Sequence, residues 1–369
     1  MKTVVFLVPS LAPAGSEQSF LRVANSIAEA GNKVSVIIFS PRLNLLSHLN
    51  DNIKVFKLNG KTSNPVFLMK LYFVLKKIKA DVVFGWSLYA NLAALLLSPK
   101  KINSKIIISE RNYFPTGFKL EKNKLTTLKY KLTLIAIKKL YPKANIITAN
   151  SSINVRFLRL FIGKGPKYEL LPNSIDLSDI ENKSNEFSVE NTGENILKVL
   201  AVGRLELQKG FDLLLRAIHL VKEKINLKLI IVGDGSQKTK LKDLQKELRL
   251  NDVVTFEGFK SNPFPYYKWA DICVLSSRHE GFPNVLVEAM GSGKACIAAD
   301  CHTGPFEITE MGKLGILYPV EDYKALAEAI INLAADPELR KELGKKAQQK
   351  IKSEYDYSRM KNIYSQIID

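Results

Sequence analysis

The sequence predicts an α/β protein made of two doubly wound domains in series, each built on a parallel sheet. Three observations lead to this prediction. At 369 residues the chain is long for one core, and two domains of about 150–190 residues suit it better. Short β-rich runs alternate with helical patterns in both halves. A polar stretch over 178–195 interrupts that alternation and has the composition of a linker.

The first half opens with a β-α-β unit, the building block of a doubly wound sheet. A buried strand is predicted over TVVFLV (3–8). A helix follows it, because apolar residues recur at helical spacing in SEQSFLRVANSIAEAG, which ends at Gly31. The other strands of this half are predicted at 33–38, 81–85, 105–109 and 145–148.

The second half repeats the same rhythm after the linker. We therefore place a first domain over 1–177 and a second over 196–352. Because ligands of such sheets bind beyond the carboxyl ends of the strands, we expect the domains to face each other across a cleft and share one ligand. The strands of the second domain are predicted at 198–203, 227–233, 253–258, 271–277 and 294–300.

The positive charge is concentrated in the first half. Residues 1–180 hold 27 Lys and Arg against 9 Asp and Glu, whereas the remaining 189 residues hold 27 of each. The whole net charge of +18 therefore belongs to the first 180 residues. Such asymmetry suggests that this half meets an anionic partner.

Two lysine-rich segments, 67–80 and 119–143, carry much of that charge. Two interpretations are open for them. The segments are either helices packed on the sheet with solvated lysines outside, or basic amphipathic helices suited to an anionic membrane surface. The second interpretation uses an apolar helical face in the later segment, formed by Leu125, Leu128, Leu132 and Ile135.

Cysteine usage and hydropathy point to the cytoplasm. Cys273, Cys296 and Cys301 are odd in number and lack a metal-ligand spacing, as expected of reduced cysteines. The run MKTVVFLVPSLAPAG has the rough layout of a signal peptide, but its apolar part is short and contains Pro9, so a buried strand is favoured. No stretch reaches the length of about 18 apolar residues that spans a bilayer. We expect a cytoplasmic protein, peripheral on the inner face of the membrane.

Two glutamates in EGFPNVLVEAM stand eight positions apart. Glu280 precedes a turn of Gly281, Pro283 and Asn284, and Glu288 lies inside the helix predicted after it. Eight helical positions span roughly 12 Å, whereas a hydrolytic pair of carboxylates lies about 5–9.5 Å apart. The spacing therefore favours two carboxylates that bind hydroxyl groups on two parts of one long ligand. Backbone amides at the start of the helix offer a seat for an anion.

A second motif, VGRLELQKG (202–210), follows the first strand of the second domain. Arg204 and Lys209 come where this strand ends and a helix begins, and a guanidinium and an ammonium there suit a pyrophosphate. The alternative is a pair of solvated surface charges. The stretch VGDGSQKTKL (232–241) matches neither the dinucleotide fingerprint nor a P-loop, and predicts a tight turn.

Taken together, these motifs resemble those of glycosyltransferase family 4. The resemblance covers nearly the whole chain through V-G-R-L-x-x-x-K-G, the two glutamates eight positions apart and a glycine turn near the N-terminus. Members of that family are retaining, nucleotide-sugar-dependent enzymes of the GT-B fold. The resemblance therefore implies transfer of a hexose or N-acetylhexosamine. UDP is the expected nucleotide because it is common in the family, and GDP stays open.

The resemblance also implies a role for each matching residue of the second domain. Arg204 and Lys209 would bind the donor diphosphate, Glu288 the ribose hydroxyls and Glu280 the hydroxyls of the transferred sugar. Glu280, Arg204 and Lys209 form the predicted catalytic set. The base would lie at the turn of Glu257 and Phe259. Sugar and phosphate would be cradled by the turn of Gly281 and Pro283 with the amides of Phe282, Asn284, Val285 and Leu286.

In the first domain, PAGSEQS (13–19) matches the G-G-x-E loop of the family. Ala14 replaces the first glycine, and Gly15 keeps the second, so that close approach of the backbone to phosphate stays possible. Glu17 stands at the glutamate of the motif. Two roles are open for it: a substrate contact, or a first-turn acid that complements the helix dipole.

The chain departs from many relatives at SERNYFP (109–115), where they place a histidine. Glu110, Arg111 and Asn112 occupy this stretch. We predict Arg111 and Asn112 as contacts to sugar or acceptor; a loop salt bridge and a turn asparagine are the alternatives. Both SERN and TGPFEIT (303–309) resemble bacterial members that build polysaccharide or lipid-linked oligosaccharide. The implied acceptor is a saccharide, carried on polyprenyl diphosphate.

Neither a metal nor a cofactor is predicted. His279 and His302 lack spaced partners for zinc, and no D-x-D cluster marks a metal-bound donor. The predicted partners are a nucleotide sugar, the saccharide acceptor and an anionic membrane, without nucleic acid. Two rival functions stay open: a nucleotide-sugar 2-epimerase of the same fold, and a basic nucleic-acid-binding protein, although no nucleic-acid motif is present. The fold further implies that 353–369 form a helix that crosses back to the first domain.

Overall fold

The computed structural model describes residues 1–12, 15–97, 103–111, 124–178, 180–189, 193 and 195–369, without the side chains of 124–129. The chain forms two compact units. Unit 1 comprises Met1–Ser174 and Ser358–Asp369, and unit 2 comprises Ile175–Tyr357. Each unit holds one parallel sheet with helices around it, which confirms the predicted fold class.

Unit 1 contains a seven-stranded sheet in the order β3-β2-β1-β4-β5-β6-β7. Every neighbouring pair in it is parallel. The outermost strands, β3 and β7, were not among the predicted ones; both are half-exposed, and β3 has a lysine at each end whereas β7 has one at its start. The strands are β1 (Thr3–Val8), β2 (Lys33–Ile38), β3 (Lys54–Lys57), β4 (Val82–Trp86), β5 (Lys105–Glu110), β6 (Ile146–Ala149) and β7 (Lys167–Leu170).

The helices of unit 1 begin and end at residues suited to those positions. Asn64 accepts a hydrogen bond from the amide of Val66 at 2.9 Å and caps α2, whose first residue is a proline. Ser151 caps α5 in the same way through the amide of Asn154, at 3.2 Å. The helices are α1 (Gly15–Glu29), α2 (Pro65–Ile78), α3 (Leu88–Leu96), α4 (Lys124–Leu140) and α5 (Ser152–Ile162).

Four of these helices cover one face of the sheet. Phe67 and Leu71 of α2, alanines of α3, Ile137 of α4 and Leu158 of α5 all belong to one buried cluster with strand residues such as Val83. Because all four helices bury a stripe against the same face, their opposite stripes point away from the sheet on the same side of unit 1.

Unit 2 contains a six-stranded parallel sheet in the order β10-β9-β8-β11-β12-β13. The short last strand was not predicted. The strands are β8 (Leu197–Val202), β9 (Leu227–Val232), β10 (Val254–Gly258), β11 (Ile272–Leu275), β12 (Ala295–Ala299) and β13 (Ile316–Tyr318).

The helices of unit 2 pack on both faces of this sheet, in two separate buried clusters. The first of them lies inside the stretch predicted as a linker. They are α6 (Ile180–Ser184), α7 (Phe211–Val221), α8 (Lys238–Glu247), α9 (Phe264–Trp269), α10 (Asn284–Gly291), α11 (Gly304–Ile308), α12 (Tyr323–Ala335) and α13 (Pro337–Glu354).

The strand order of each sheet reverses beside its first strand. In unit 2, β8 lies between β9 and β11, so the chain runs outward from β8 in both directions. Such a switch point opens a crevice at the carboxyl ends of the strands. The loops after β8, β9 and β11 meet there, and these loops carry the predicted donor site.

The last helix, α14 (Tyr357–Gln366), returns the chain to unit 1 from Ser358 onward. Met360 and Tyr364 are buried, and the Tyr364 hydroxyl donates to the carbonyl of Pro172 at 2.8 Å. At the end of the chain, Lys2 forms an ion pair with Asp369 at 2.7 Å. No helix within the described ranges is long and apolar enough to cross a membrane.

Candidate donor-binding site

The loops after β8 and β9 are in backbone contact at the switch point. Val202 and Val232 are paired in register, so Gly203 and Gly233 follow side by side. A Cβ on Gly233 would overlap the carbonyl oxygen of Gly203, and its φ of +150° is unusual for other residues. The amide of Leu205 then donates to the carbonyl of Asp234 at 2.9 Å. The backbone on both sides of Arg204 is therefore fixed.

Lys209 and Glu280 form an ion pair at the centre of the candidate site. Lys209 Nζ lies 2.5 Å from Glu280 Oε1, and the two side chains are only 15% and 6% exposed. The same oxygen accepts a hydrogen bond from the Ser277 hydroxyl at 2.6 Å. Among the described residues, both side-chain donors thus contact Oε1, which leaves Oε2 for a ligand.

The backbone of Glu280 is held by the TGPFEIT stretch. The Thr303 hydroxyl donates to the carbonyl of Glu280 at 2.5 Å, and the amide of Gly304 donates to the carbonyl of Gly281 at 3.1 Å. A Cβ on Gly304 would lie 2.6 Å from that same Gly281 oxygen. The turn that positions Glu280 therefore depends on a residue without a side chain at position 304.

Helix α10 starts directly after this turn. Pro283 precedes its first residue, and the carbonyl of Pro283 accepts the amide of Leu286 at 3.1 Å. The side chains of Phe282 and Leu286 are buried in the core of unit 2. The amide of Leu286, one of the four predicted to cradle the ligand, is therefore already hydrogen-bonded within the protein. Asn284 and Val285 lie at the N-terminal end, where the helix dipole favours an anion.

Glu288 lies one turn further along α10 and is half-buried. Its Oε2 accepts a hydrogen bond from the hydroxyl of Tyr267 at 3.1 Å. Tyr267 itself is buried in α9, and its hydroxyl also lies 3.2 Å from the carbonyl of Val285. Burial, with the nearby charge of Glu288, raises the pKa of Tyr267, so this residue acts as a neutral donor to the carboxylate.

Arg204 is exposed and forms no ion pair with the described residues. The neighbouring Glu206 is occupied differently: its carboxylate accepts the Ser236 hydroxyl at 2.6 Å and the Ser236 amide at 3.1 Å. These hydrogen bonds lower the pKa of Glu206. Glu206 therefore ties the β8 loop to the β9 loop and leaves the Arg204 guanidinium available to a ligand.

The predicted base contacts lie at the end of β10. Glu257 accepts a hydrogen bond from the hydroxyl of Tyr266 at 3.0 Å, and Lys260 lies 3.3 Å from the same carboxylate oxygen. Phe259 is 59% exposed. An exposed aromatic ring at the edge of the sheet is available for stacking on a flat ligand.

A guanidinium clamp that the sequence reasoning missed holds the loop before Glu280. Arg278 donates two hydrogen bonds to Asp212, at 2.8 and 2.7 Å, and two to Glu321, at 2.7 and 3.4 Å. Burial alone would raise the pKa of Asp212, but the hydrogen bonds and charge of Arg278 outweigh it and lower that pKa. No sequence signal marked Arg278, because its partners lie 66 and 43 positions away.

Ser277, Thr303 and Tyr267 were also missed as site residues. Each positions a predicted carboxylate or its backbone from a different element. Thr303 alone carried a signal, as the first residue of the TGPFEIT stretch. His279, next to Glu280, has a pKa lowered by burial, which favours its neutral form.

In unit 1, Arg111 is buried at the end of β5 and contacts neutral groups. Its guanidinium donates to the Ser19 hydroxyl at 2.7 Å, to the carbonyl of Leu171 at 2.8 Å and to the Asn173 side chain. It also lies over the ring of Trp86, with Cζ 4.4 Å from the centroid. Burial lowers the pKa of Arg111 to about 10. Among the described residues it forms no salt bridge; Asn112 lies outside them.

The first turn of α1 is linked to this arginine through Trp86. The indole of Trp86 donates to the carbonyl of Ser16 at 3.0 Å. Glu17 accepts hydrogen bonds from the hydroxyls of Ser16 and Ser10, and Gly15 is exposed at the start of the helix. The predicted contacts Gly15 and Glu17 thus lie at the carboxyl edge of the sheet, as does Arg111; Ala14 is outside the described residues.

Glu110 points to the opposite face of the sheet. Its carboxyl accepts hydrogen bonds from the Tyr141 hydroxyl and, at 2.8 Å, from the Asn91 side chain. No cation pairs with it among the described residues, and burial raises its pKa. Over the described ranges, moreover, no three His, Cys, Asp or Glu side chains cluster as a metal site would require; metal independence stays a prediction.

Comparison with known families adds an independent view of both units. A model of "Glycosyltransferase Family 4" matches residues 13–179, and a model of "Glycosyl transferases group 1" matches residues 182–350. Together the two models cover nearly the whole chain, and their border falls close to the border between the two units.

Similar proteins come from archaea and bacteria. An uncharacterized glycosyltransferase of Methanocaldococcus jannaschii is 31% identical over 79% of this chain and 82% of its own length. The N-acetylgalactosamine-N,N'-diacetylbacillosaminyl-diphospho-undecaprenol 4-alpha-N-acetylgalactosaminyltransferase of Campylobacter jejuni is 31% identical over 79% of this chain and 80% of its own. Among solved structures, Anabaena HepE in complex with UDP superposes with a TM-score of 0.80 at 19% identity, over 100% of this chain and 99% of that one.

Proposed function

Since this chain belongs to glycosyltransferase family 4 and has the GT-B fold, we propose that it moves a hexose or N-acetylhexosamine from a UDP-sugar to a saccharide acceptor with retention of configuration. The observation that carries the proposal is the buried pair of Lys209 and Glu280 at the switch point of unit 2. The loops that hold this pair thus combine a cation, a carboxylate and the N-terminus of α10.

The pairing of Glu280 favours a role in sugar binding. An ammonium and a hydroxyl both donate to Oε1 of the carboxylate, and these two hydrogen bonds fix its position. A fixed carboxylate with one oxygen left for a ligand suits the acceptance of hydrogen bonds from sugar hydroxyls.

The proposed chemistry centres on the leaving diphosphate. When the bond from the anomeric carbon to the phosphate oxygen breaks, negative charge develops on the diphosphate. Arg204, Lys209 and the amides at the start of α10 are placed to stabilise that charge. Cationic side chains in these positions are the reason why we propose that the reaction proceeds without a metal ion.

For the other side of the reaction, we propose that the acceptor hydroxyl attacks from the face that the leaving group vacates. It gives up its proton to the departing phosphate oxygen, so the new bond has the old configuration. Positioning of the two substrates, and not a protein nucleophile, then supplies much of the rate.

The proposed acceptor is a saccharide linked to polyprenyl diphosphate, in the assembly of a surface polysaccharide or glycan. The support is the C. jejuni relative, whose name specifies a diphospho-undecaprenol substrate. The charge of this chain fits such an acceptor, since the whole excess of +18 lies in residues 1–180 and a diphosphate is an anion.

Calorimetric binding of UDP and GDP in EDTA tests the donor site. Wild type should bind one nucleotide in the micromolar range. Arg204→Ala should weaken binding by about tenfold to a hundredfold, because a charged hydrogen bond is worth roughly 1.5–3 kcal/mol, and Glu288→Ala should weaken it similarly. Arg216→Ala, which removes an exposed arginine of α7, is the control and should bind as wild type does. Unchanged binding by both site variants would refute the assignment of unit 2.

A further inference from the structure

The outward side of the four-helix layer of unit 1 exposes large apolar side chains. In α4, Leu132 and Ile135 are 58% and 60% exposed, whereas Ile137 is buried in the core. Residues 132 and 135 lie on the helix face opposite to residue 137. The predicted apolar face of this helix therefore turns away from the sheet; Leu125 and Leu128 are outside the described side chains.

Helix α2 shows the same arrangement. Phe67, Leu71 and Leu75 are buried, whereas Met69 and Phe73 are 54% and 60% exposed on the opposite stripe. We call the exposed apolar set of the four helices the outer face. It consists of Val66, Met69, Phe73, Tyr89, Leu96, Leu132, Ile135 and Leu160.

The charge around the outer face has a single sign. Helices α2 to α5 together hold ten Lys and Arg residues and no Asp or Glu. Among the described residues, Lys70, Lys76, Lys131 and Lys139 are exposed and form no ion pair with the protein. Lysines beside exposed apolar groups, on four helices that contain no acidic residue, leave both kinds of group available to one partner.

We propose that the outer face docks on an anionic lipid bilayer. Large apolar side chains flanked by lysines match the boundary between headgroups and acyl chains, where the apolar groups insert and the ammonium groups reach lipid phosphates. A protein partner of matching size would need acidic groups beside an apolar groove. A nucleic acid would leave Leu132, Ile135, Met69 and Phe73 unused. A bilayer can contact the apolar side chains and the lysines at the same time.

The proposal deepens the proposed function, because it puts unit 1 at the surface where a lipid-linked acceptor resides. Only the link between this surface and a lipid-linked acceptor rests on the proposed function. The docking itself follows from the exposed side chains and their charge, and it can be measured without donor or acceptor.

Vesicle sedimentation provides the test, with phosphatidylcholine vesicles compared with vesicles that also contain phosphatidylglycerol. The full-length wild type should bind the anionic vesicles and bind phosphatidylcholine weakly. Charge reversal in Lys131→Glu/Lys139→Glu should lower binding by roughly tenfold or more, since each basic residue near the surface is worth about a fivefold change in affinity. Added salt should weaken wild-type binding, since it screens the lysines.

The apolar part of the outer face is tested separately by Leu132→Ser/Ile135→Ser. This variant should lose most of the binding that persists in high salt. Matched controls are Lys341→Glu/Lys345→Glu and Met311→Ser, which change exposed residues of unit 2 and should bind as wild type does. UDP calorimetry on every variant shows whether the fold and donor site are intact, and circular dichroism melting shows whether unit 1 is folded.

Three outcomes would overturn the proposal. The proposal is refuted if the wild type does not sediment with anionic vesicles. It is also refuted if Lys131→Glu/Lys139→Glu and Leu132→Ser/Ile135→Ser both bind as wild type does. Concentration-dependent dimers that the Leu132→Ser/Ile135→Ser change disrupts, without vesicle binding, would assign the face to a second copy of this chain. Vesicle binding with no UDP binding would instead retain the docking surface and refute the proposed function.

Discussion

At the residue scale, the ion pair of Lys209 and Glu280 is the feature on which the donor site depends. Buried ion pairs contribute little net stability, because desolvation of both groups offsets their attraction. Removal of one partner is costly, however, since it leaves the other charge buried without compensation. The pair is therefore better explained by ligand binding than by stability.

Glu280→Gln separates those two explanations. The amide keeps its carbonyl oxygen as acceptor for Ser277 and Lys209, but it leaves the Lys209 ammonium without a counter-charge, so we expect the free energy of unfolding to fall by about 3–5 kcal/mol. Transfer activity should fall by about a hundredfold or more, because a charged contact to the reacting sugar is lost. Initial rates with a UDP-sugar, beside urea unfolding, measure both. Lys224→Ala, an exposed lysine of the same unit, is the control; full activity in Glu280→Gln would contradict the assigned role.

The buried carboxyl of Glu110 gives a pH-dependent prediction. Its pKa is raised by burial, so the folded protein binds more protons than the unfolded chain at pH values between the ordinary glutamate pKa and the raised one. The stability of unit 1 should therefore fall as the pH rises through that window.

Glu110→Gln should remove this dependence. The glutamine oxygen can still accept from Asn91 and Tyr141, and it cannot ionise. We expect the variant to be more stable than wild type above the window and to show a flatter dependence on pH. Thermal unfolding across a pH series, with Glu169→Gln on the half-exposed edge strand as control, provides the measurement. A wild-type slope retained in Glu110→Gln would show that another group is responsible.

At the element scale, the loops at the carboxyl ends of β8, β9 and β11 form one interlocked unit. Gly210 shows why: it is left-handed, with φ of +61°, and a Cβ there would overlap the carbonyl oxygen of Ser276. The hydroxyl of Ser276 in turn donates to the carbonyl of Lys209 at 2.9 Å. The loop after β8 and the end of β11 are thus in direct contact beside Lys209.

Gly210→Ala should therefore cost more than backbone strain alone. Gly31 is the matched control, because its φ is +83° but nothing lies within 4 Å of a Cβ there. A left-handed alanine costs about 1–2 kcal/mol, which we expect for Gly31→Ala without any effect on UDP binding. Gly210→Ala should exceed that cost and also weaken UDP binding, as followed by thermal unfolding and calorimetry. Equal effects of the two substitutions would show that the close approach at Gly210 is unimportant.

At the scale of the whole molecule, the last helix joins the two ends of the chain within unit 1. Tyr364 is fully buried and its hydroxyl donates to Pro172, 192 positions earlier. Lys361 pairs with Glu29 of α1, and Lys2 with Asp369. Unit 1 therefore requires residues synthesised after all of unit 2.

Tyr364→Ala should destabilise unit 1 by about 3–5 kcal/mol, the usual cost of removing a buried aromatic side chain. Tyr364→Phe should cost only about 0.5–1.5 kcal/mol for the hydrogen bond, and Ile363→Ala, at a 47% exposed position, less still. Because the donor site belongs to unit 2, UDP should bind all three variants. Urea unfolding followed by tyrosine fluorescence, with calorimetry, tests this; loss of UDP binding in Tyr364→Ala would show that the two units do not fold independently.

The sequence by itself determined the fold class and which residues are proposed for the donor site. Buried parallel strands such as β1 and β12 are continuous apolar runs, so periodicity and turn residues located them. The edge strands β3, β7 and β13 escaped prediction because they are short and half-exposed. Arg204, Lys209, Glu280 and Glu288 were predicted because strand-to-helix loops bring ligand contacts to one edge of the sheet, and the structure brings Lys209 and Glu280 into contact there.

Only the tertiary structure decided how those residues are held and what the first half exposes. Ser277, Thr303 and Arg278 support Glu280 from distant positions, and long-range side-chain contacts leave no local pattern in a sequence. Arg111 was predicted as a contact to sugar or acceptor, which stays a prediction; the structure shows that its guanidinium is buried among partners that follow other strands. The direction of the apolar face of α4 also required the structure, since a helix with apolar residues on two sides has no unique buried face until it packs.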